Sequence, residues 1–403
     1  TKQGCKTLHY RTSRERHYMK SLISGRYQKS EKTAMGEVFD FLKKYDDIIN
    51  LSIGDPDIIT DSSVIERMAE DAKAGHTKYT DYRGYPELRA EIAKFYKEEY
   101  DADVDDSEIF ISAGGCVSMY LVMEAILNDG DEVIIPDPYF VPYPSQVELA
   151  RGKAVMLPTY EEEGFQINID RLEKLVTEKT RAIILNTPNN PTGSCLSLET
   201  MHKIAEFCEK HDIIVVADDI YTAFSFDSEF VPIMNIDSMK KRTITINSFS
   251  KNFVMTGFRV ANIIAPEEVI QTIQKINENV VFTTPSVSQR AALHALRMRH
   301  QIQPAIIDEF RERVKYCRQR VSSIKNMSVL EEGGSFYVFP NIKATGLSSN
   351  EVTKLMMEEA HVLVLPGNAF GSCGEGYIRI SCTVGIEKLR EAFDRIEKMK
   401  IFS

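Results

Sequence analysis

Seven short apolar runs between residues 109 and 264 constrain the fold of this 403-residue chain more than any other feature. In order they read EIFISAG, DEVIIPDP, KAVMLP, RAIILNTP, DIIVVADD, RTITINSFS and RVANIIA. Because each run is continuously apolar instead of alternating, it predicts a strand buried on both faces, as in a parallel sheet covered by helices. Most spacers hold 12 or more residues, enough for crossover helices. The shorter gap between TITIN and VANII predicts that one of those two strands runs antiparallel.

The sequence after Pro285 changes character and predicts a second, smaller domain. A long helical region at about 286–325 precedes MSVLEEGGSFYVFPNI, a helix in SSNEVTKLMMEEA, the runs VLVLPG and YIRISC, and a final helix in EKLREAFDRIEKM. The early segment INLSIGDPD is expected to pack with this domain. We therefore predict an α/β fold: a large domain at 60–290 with a mostly parallel seven-stranded sheet flanked by helices, and a smaller α+β domain at 1–59 and 291–403.

Composition narrows the partners that the chain is expected to have. With 49 basic and 59 acidic residues the net charge is −10, which argues against nucleic acid and anionic membrane as main partners. No apolar run approaches the roughly 18 residues of a membrane helix, and the N-terminal segment lacks the apolar core of a signal peptide. The seven cysteines form no CxxC pair, so we expect a reducing cytoplasm, no zinc or other metal site, and no disulfide framework.

The first 32 residues form a basic arm. They carry nine Lys and Arg against two acidic residues, a net charge of +7, which leaves −17 for the rest of the chain. An anionic partner would explain such an arm. We favour docking on an acidic surface of the same protein or of a second subunit, because the basic residues are less densely clustered than in nucleic-acid patches.

Polar groups follow the carboxyl ends of several predicted strands, the edge at which open α/β sheets bind ligands. After IFIS, Gly114 and Gly115 open a helix whose free amides would suit a phosphate, although a plain strand-to-helix turn gives the same pattern. In DPYFVPY, Phe140 either stacks on a flat ring or packs in the core. The stretch TPNNPTG predicts a rigid turn that projects two amide side chains.

Two further stretches carry ionisable groups at the same edge. DDIY places Asp218 and Asp219 at a buried strand end, where a helix cap would explain one of them, but two are costly without a cation. SFSKNFVMTGFR places Lys251 directly after another strand. An isolated lysine is usually a solvated surface residue. Here several candidate ligand groups converge on one edge, and we predict that Lys251 belongs to a site there.

In their order and spacing, NNPTG, DDIY, SFSKNFVMTGFR and YIRIS resemble the class I/II aminotransferases of fold type I, which depend on pyridoxal phosphate. GDPD, KYTDYRGYPELR, SAGGC, DPYFVPYP, GGSFYVFP and LPGNAFG also resemble that family's pattern, over about residues 48–398. The resemblance implies an aminotransferase that moves an amino group from an L-amino acid to a 2-oxo acid. The reaction would proceed through a Schiff base of pyridoxal 5'-phosphate on Lys251, with 60–290 as the cofactor-binding domain.

The resemblance also implies a role for each matching residue. The residues expected to be catalytic are Lys251, Asp218 and Tyr221. Those expected to bind the cofactor are Gly115, Cys116, Phe140, Asn190, Asp218, Tyr221, Ser248, Ser250, Lys251, Arg259 and Tyr79. Those expected to bind the substrate are Gly54, Asn190 and Arg379. Tyr79 is expected to reach the phosphate of a neighbouring subunit, so the resemblance predicts a homodimer with shared active sites.

One departure and two alternatives remain open in the sequence. Aspartate-selective relatives often place a lysine directly after the Gly-Gly pair, whereas this chain has Cys116, so a neutral or aromatic donor is as compatible as a dicarboxylate. A pyridoxal-phosphate-dependent C–S (β) lyase on the same scaffold would show the same motifs. A ligand-sensing domain of a transcription regulator would need a DNA-binding domain ahead of the fold, for which the roughly 47 residues there are too few.

Overall fold

The largest sheet of the protein has seven strands and is mostly parallel. The computed structural model describes residues 22–25 and 45–403. The strands in these residues are β1 (Ile49–Asn50), β2 (Ile109–Ser112), β3 (Glu132–Asp137), β4 (Lys153–Pro158), β5 (Thr180–Asn186), β6 (Ile214–Asp218), β7 (Thr243–Ser248), β8 (Ala261–Ile264), β9 (Tyr337–Val338), β10 (Val362–Leu363), β11 (Leu365–Pro366) and β12 (Ile378–Ser381). The order in the large sheet is β2-β8-β7-β6-β5-β3-β4, and β8 alone is antiparallel to its neighbours. The predicted sheet and its antiparallel strand are therefore confirmed.

Helices cover both faces of this sheet. The α-helices of the described residues are α1 (Ser62–Lys73), α2 (Pro86–Tyr100), α3 (Gly115–Ile126), α4 (Pro142–Leu149), α5 (Ile169–Glu173), α6 (Leu198–His211), α7 (Phe249–Asn252), α8 (Glu267–Asn277), α9 (Ser286–Arg297), α10 (Arg299–Ser323), α11 (Ser349–Ala360) and α12 (Ile386–Ile396). Along β5, Ala182 and Ile184 pack in the core that includes α3 and α8, whereas Ile183 and Leu185 pack against α6. This two-sided burial explains why the runs are continuously apolar.

The remaining strands form two small sheets around a separate apolar core. Strand β1 pairs in parallel with β10, and β11, β12 and β9 form an antiparallel sheet in that order. Their core includes residues of α10, α11 and α12. The early segment at residues 49–50 thus joins the later part of the chain as expected, while the domain boundaries at 59/60 and 290/291 stay a prediction. Of the basic arm, only residues 22–25 are described, and they are exposed. The rest of the arm lies outside the described residues.

Residues 22–25 and 45–403 contain no candidate transmembrane helix. Every helix described there is too short or too polar to span a bilayer.

Candidate active site

Sheet register brings the polar stretches to one edge. Asn186 and Asp218 are cross-strand neighbours at the carboxyl ends of β5 and β6. Strand β7 ends at Ser248, and α7, which contains Lys251, follows at once. Because β8 is antiparallel to both β7 and β2, these two strands point the same way, and the helix that begins at Gly115 starts at the same edge. The strand ends therefore gather the groups that the sequence singled out.

The amine of Lys251 is held close to the backbone of the early GDPD segment. Its Nζ donates a hydrogen bond to the carbonyl oxygen of Gly54 at 2.5 Å. Burial lowers the pKa of Lys251 from its usual value of 10.5, and the charges of Arg379 and Arg259 act in the same direction. More neutral amine is therefore present near neutral pH than in an exposed lysine.

Asp218 is a buried carboxyl with one satisfied and one unsatisfied oxygen. Oδ2 accepts a hydrogen bond from the hydroxyl of Tyr143, whereas Oδ1 has no partner among the described residues. Burial raises the pKa of Asp218 to about 6, and the hydrogen bonds from Tyr143 and from the backbone of Ile220 oppose that rise. An acceptor of this kind is suited to a cationic or N–H partner.

The second aspartate of DDIY has a different environment. Asp219 is buried, and its Oδ2 lacks a hydrogen-bond partner in the part of the chain that is described. Burial, followed by the charge of Asp218, raises the pKa of Asp219 well above its usual value. The short 3₁₀ turn that follows begins with Tyr221 as its N-cap residue. A helix cap therefore explains neither aspartate.

Arg379 on β12 is a buried cation held by neutral groups. Its Nη1 donates to Asn190 Oδ1 at 3.0 Å, and Nη2 donates to the carbonyl oxygen of Ser52 at 2.5 Å. Its Nε is buried without a partner in the described residues. The Asn190 amide nitrogen also reaches the Tyr221 hydroxyl, at 3.5 Å. These contacts join three of the predicted residues and leave one donor of Arg379 available to an anion.

Hydroxyl groups, a guanidinium and a helix N-terminus form a second polar group at this edge. Ser248 Oγ donates to Ser250 Oγ at 3.0 Å, and Arg259 Nη1 donates to the same Ser250 oxygen at 3.4 Å. Gly114 has φ +91°, and a Cβ there would lie 2.4 Å from Arg259 Nη2. Only glycine lets the start of α3 approach this arginine, and the combination is suited to a phosphate.

Cys116 and Phe140 lie near these groups. The Cys116 side chain is exposed to solvent, yet desolvation by the surrounding protein raises the pKa of its thiol, with Asp218 adding to the rise and the charges of Arg259 and Lys251 opposing it. Cys116 is therefore within electrostatic range of all three groups. The Phe140 ring is half-buried, and its centroid lies 5.5 Å from that of Tyr143, the residue that binds Asp218.

Tyr79 is not brought to this site within the chain. Its side chain is 81% exposed, and its ring lies 4.8 Å from that of Phe282, which Tyr82 also contacts at 5.5 Å. Ile59 is 83% exposed as well. The role given to Tyr79 from the resemblance needs a second subunit and stays a prediction.

One loop ties the two ends of the site together. The carboxylate of Asp137, at the end of β3, accepts hydrogen bonds from the backbone and hydroxyl of Ser372, both at 2.9 Å. The backbone N–H of Tyr139 donates to the carbonyl oxygen of Phe370 at 2.8 Å. Between them lies Gly371, whose φ of +117° and close approach to Asp137 exclude a side chain.

Sequence reasoning missed three aromatic residues of the site. Tyr143 binds Asp218, and the rings of Tyr337 and Phe370 lie on Arg379, with its guanidinium carbon 4.4 and 4.6 Å from their centroids. All three stand in motifs that were noted, DPYFVPYP, GGSFYVFP and LPGNAFG. An aromatic residue in an apolar motif is usually part of the core, so the letters alone carried no signal for these contacts.

Comparison with known proteins identifies relatives of the whole described region. A family model for aminotransferase class I and II matches residues 46–396. An aspartate aminotransferase of Pyrococcus abyssi is 41% identical, with 90% of this chain and 94% of that protein covered. An aromatic-amino-acid aminotransferase 2 of Thermococcus litoralis is 40% identical, with 94% and 98% covered. The crystal structure of an aromatic aminotransferase from Pyrococcus horikoshii has a TM-score of 0.85 and 39% identity over 90% of this chain and 98% of that one.

Proposed function

Because the chain belongs to the class I and II aminotransferase family, we propose that the groups around Lys251 form its active site. The protein is a pyridoxal-phosphate-dependent aminotransferase, which exchanges an amino group between an amino acid and a 2-oxo acid. The observation that carries the site assignment is the position of the buried Lys251 amine, in the short helix directly after β7, beside the end of β6 that holds Asp218. The C–S lyase alternative is not favoured, because the named relatives are aminotransferases.

The described residues fit the cofactor. Pyridoxal phosphate supplies an aldehyde and a pyridine ring that takes up the electron pair left when the substrate Cα loses its proton. The unpartnered Oδ1 of Asp218 offers an acceptor for the protonated ring nitrogen. The residues that we propose to hold the group are Gly115, Cys116, Phe140, Asn190, Asp218, Tyr221, Ser248, Ser250, Lys251 and Arg259, with Tyr79 from a second subunit. Serine hydroxyls, helix amides and Arg259 would take the phosphate.

Lys251 and Asp218 have complementary tasks in this proposal. The Lys251 amine would hold the cofactor aldehyde, and, as a neutral amine, would be the base that takes the proton from the substrate Cα. Asp218, when ionised, would keep the ring nitrogen protonated, since a nearby opposite charge favours the charged form of a titratable group.

Arg379 binds the α-carboxylate that every amino acid and 2-oxo acid substrate shares. Its unpartnered Nε and its stacking between two rings support this role, together with Gly54 and Asn190 at the same end. The donor side chain is a separate matter. We propose a neutral or aromatic donor, because Cys116 offers no cation for a second carboxylate.

The test of the site is removal of the Lys251 amine. In Lys251→Ala, amino transfer from a panel of donors to 2-oxoglutarate should fall by ~10²-fold or more. Borohydride treatment of the loaded wild-type protein should add the cofactor mass to the peptide that contains Lys251. Lys203→Ala, which removes an exposed lysine paired with Glu199, is the matched control and should behave as wild type. Full turnover in Lys251→Ala would remove the assignment.

We further propose a cytoplasmic homodimer with shared sites. The exposed aromatic cluster of Tyr79, Tyr82 and Phe282 supports a subunit contact at this surface, because exposed apolar patches often mark interfaces. The six cysteines in the described residues are free thiols, as suits a reducing compartment. Light scattering should give twice the 45.8 kDa chain mass, and a monomer mass for active enzyme would contradict the shared site.

A further inference from the structure

Tyr337 has no role in the assignments above, yet it lies at the centre of the site. It is 3% exposed and belongs to β9, which pairs with β12 so that Tyr337 faces Ser381, two residues beyond Arg379. The strand pairing therefore fixes its backbone relative to the arginine. Its side chain contacts groups at both the substrate and the cofactor end.

The guanidinium of Arg379 lies over the ring of Tyr337. The guanidinium carbon lies 4.4 Å from the Tyr337 ring centroid and 4.6 Å from that of Phe370. Arg379 forms no salt bridge with a carboxylate of residues 45–403. The two rings and two neutral oxygens therefore stabilise its charge. Contact with these two rings restricts where Arg379 can present N–H groups to a substrate carboxylate.

The hydroxyl of Tyr337 lies at the junction of the other groups. It accepts a hydrogen bond from the Tyr221 hydroxyl at 3.4 Å. It also fills the space above Gly54, since a Cβ on Gly54 would lie 1.8 Å from Tyr337 Oη. The carbonyl oxygen of the same Gly54 holds the Lys251 amine at 2.5 Å. One phenol thus contacts the backbone that holds the Lys251 amine and the hydroxyl of Tyr221, a residue proposed to bind the cofactor.

We propose that Tyr337 is a positioning residue for amino transfer, whose ring fixes Arg379 for substrate carboxylates and whose hydroxyl aligns Tyr221 and the Gly54 carbonyl that holds Lys251. The inference rests on the proposed active site. It divides the side chain into two separable parts. The ring acts on substrate binding, which KM reports, and the hydroxyl acts on the proton-transfer groups, which kcat reports.

Two substitutions separate these parts. Tyr337→Phe keeps the ring and should lower kcat about 5- to 10-fold with little change in KM, because one hydrogen bond is lost. Tyr337→Leu also removes the ring and should raise KM for both amino acid and 2-oxo acid about 5- to 30-fold. Tyr377→Phe is the control, since that phenol binds Glu161 and Lys343 instead.

A measurement on the cofactor-free protein gives an independent readout. The pH dependence of Lys251 acetylation by acetic anhydride, followed by mass spectrometry, reports the state of the amine. Burial lowers the pKa of this amine, and its Nζ donates to the Gly54 carbonyl against which the Tyr337 hydroxyl packs. In Tyr337→Phe the rate of Lys251 labelling should therefore differ from that of wild type.

The outcomes are distinguishable from failure of the site itself. Wild-type kinetics and wild-type labelling in Tyr337→Phe would overturn the role of the hydroxyl, whereas an unchanged KM in Tyr337→Leu would overturn that of the ring. If Tyr337→Leu does not fold, as judged by circular dichroism, Tyr337→Met replaces it as the variant without a ring. Tyr337→Phe still tests the role of the hydroxyl. An active Lys251→Ala would instead remove the proposed site on which the inference rests.

Discussion

Replacing Asp218 by Asn should stabilise the cofactor-free protein at neutral pH, although it removes a residue proposed for catalysis. The folded pKa of about 6 lies above the ordinary value of 3.8, so the folded state holds this proton more tightly than the unfolded state. Stability that depends on the bound proton is complete below pH 3.8 and is lost as the pH rises through 6. At pH 7 the loss is about 3 kcal/mol, and at pH 4 it is about 0.5 kcal/mol.

The assay is urea unfolding of cofactor-free wild type and Asp218→Asn at a series of pH values and fixed protein concentration. The stability difference between the two proteins should grow by about 2 kcal/mol from pH 4 to pH 7 and then level off. This change with pH does not depend on what the amide itself gains or loses. Asp219→Asn is the matched comparison, and its advantage should also grow with pH because burial and the charge of Asp218 raise the pKa of Asp219.

Added pyridoxal phosphate should reverse the order of the two proteins. The proposed pairing of ionised Asp218 with the protonated ring favours wild type, and the variant lacks that charge. A stability difference that does not change between pH 4 and pH 7 would refute the reasoning, because it would mean that Asp218 is not a buried carboxyl that ionises near pH 6.

Two further substitutions test the substrate end of the site. Arg379→Lys should raise KM for donor and acceptor about 10- to 100-fold in steady-state assays, because a lysine reproduces neither the stacking nor the forked donors; a fall in kcat alone would exclude Arg379 as the carboxylate site. Cys116→Lys should raise the kcat/KM ratio of aspartate to phenylalanine about 10-fold by adding a cation for the second carboxylate. Cys116→Met, which is neutral, should leave that ratio unchanged, and equal ratios in both variants would contradict the proposed donor preference.

The sheet could be predicted because burial on both faces leaves a direct trace in the sequence. Runs such as AIIL in β5 are apolar at every position, since successive residues pack against helices on opposite sides. The antiparallel strand followed from chain length alone, because too few residues separate β7 and β8 for a parallel crossover. The convergence of Lys251 and Asp218 followed from the rule that parallel strands end at one edge.

The aromatic contacts could not be predicted, because they depend on side-chain directions across distant segments. Tyr143 and Asp218 are 75 residues apart, and Tyr337 and Tyr221 are 116 apart. The residues that flank a tyrosine in the sequence do not determine which group its hydroxyl binds. The same limit applied to Asp219, where two adjacent carboxyls suggested a cap or a cation, and the structure instead leaves its Oδ2 buried without a hydrogen-bond partner in the described residues.

The glycine at position 371 has a consequence for how this enzyme could acquire new substrates. Its neighbours Phe370 and Ser372 form hydrogen bonds with Tyr139 and Asp137. The segment next to Phe140 and the segment whose Phe370 ring contacts Arg379 are therefore held together on both sides of Gly371. A Cβ at this position would lie 2.1 Å from an Asp137 carboxylate oxygen, so a larger residue would disturb the contact between Asp137 and Ser372. New substrate preferences are therefore expected to arise by substitution of side chains that line the site more readily than by separation of these two backbone segments.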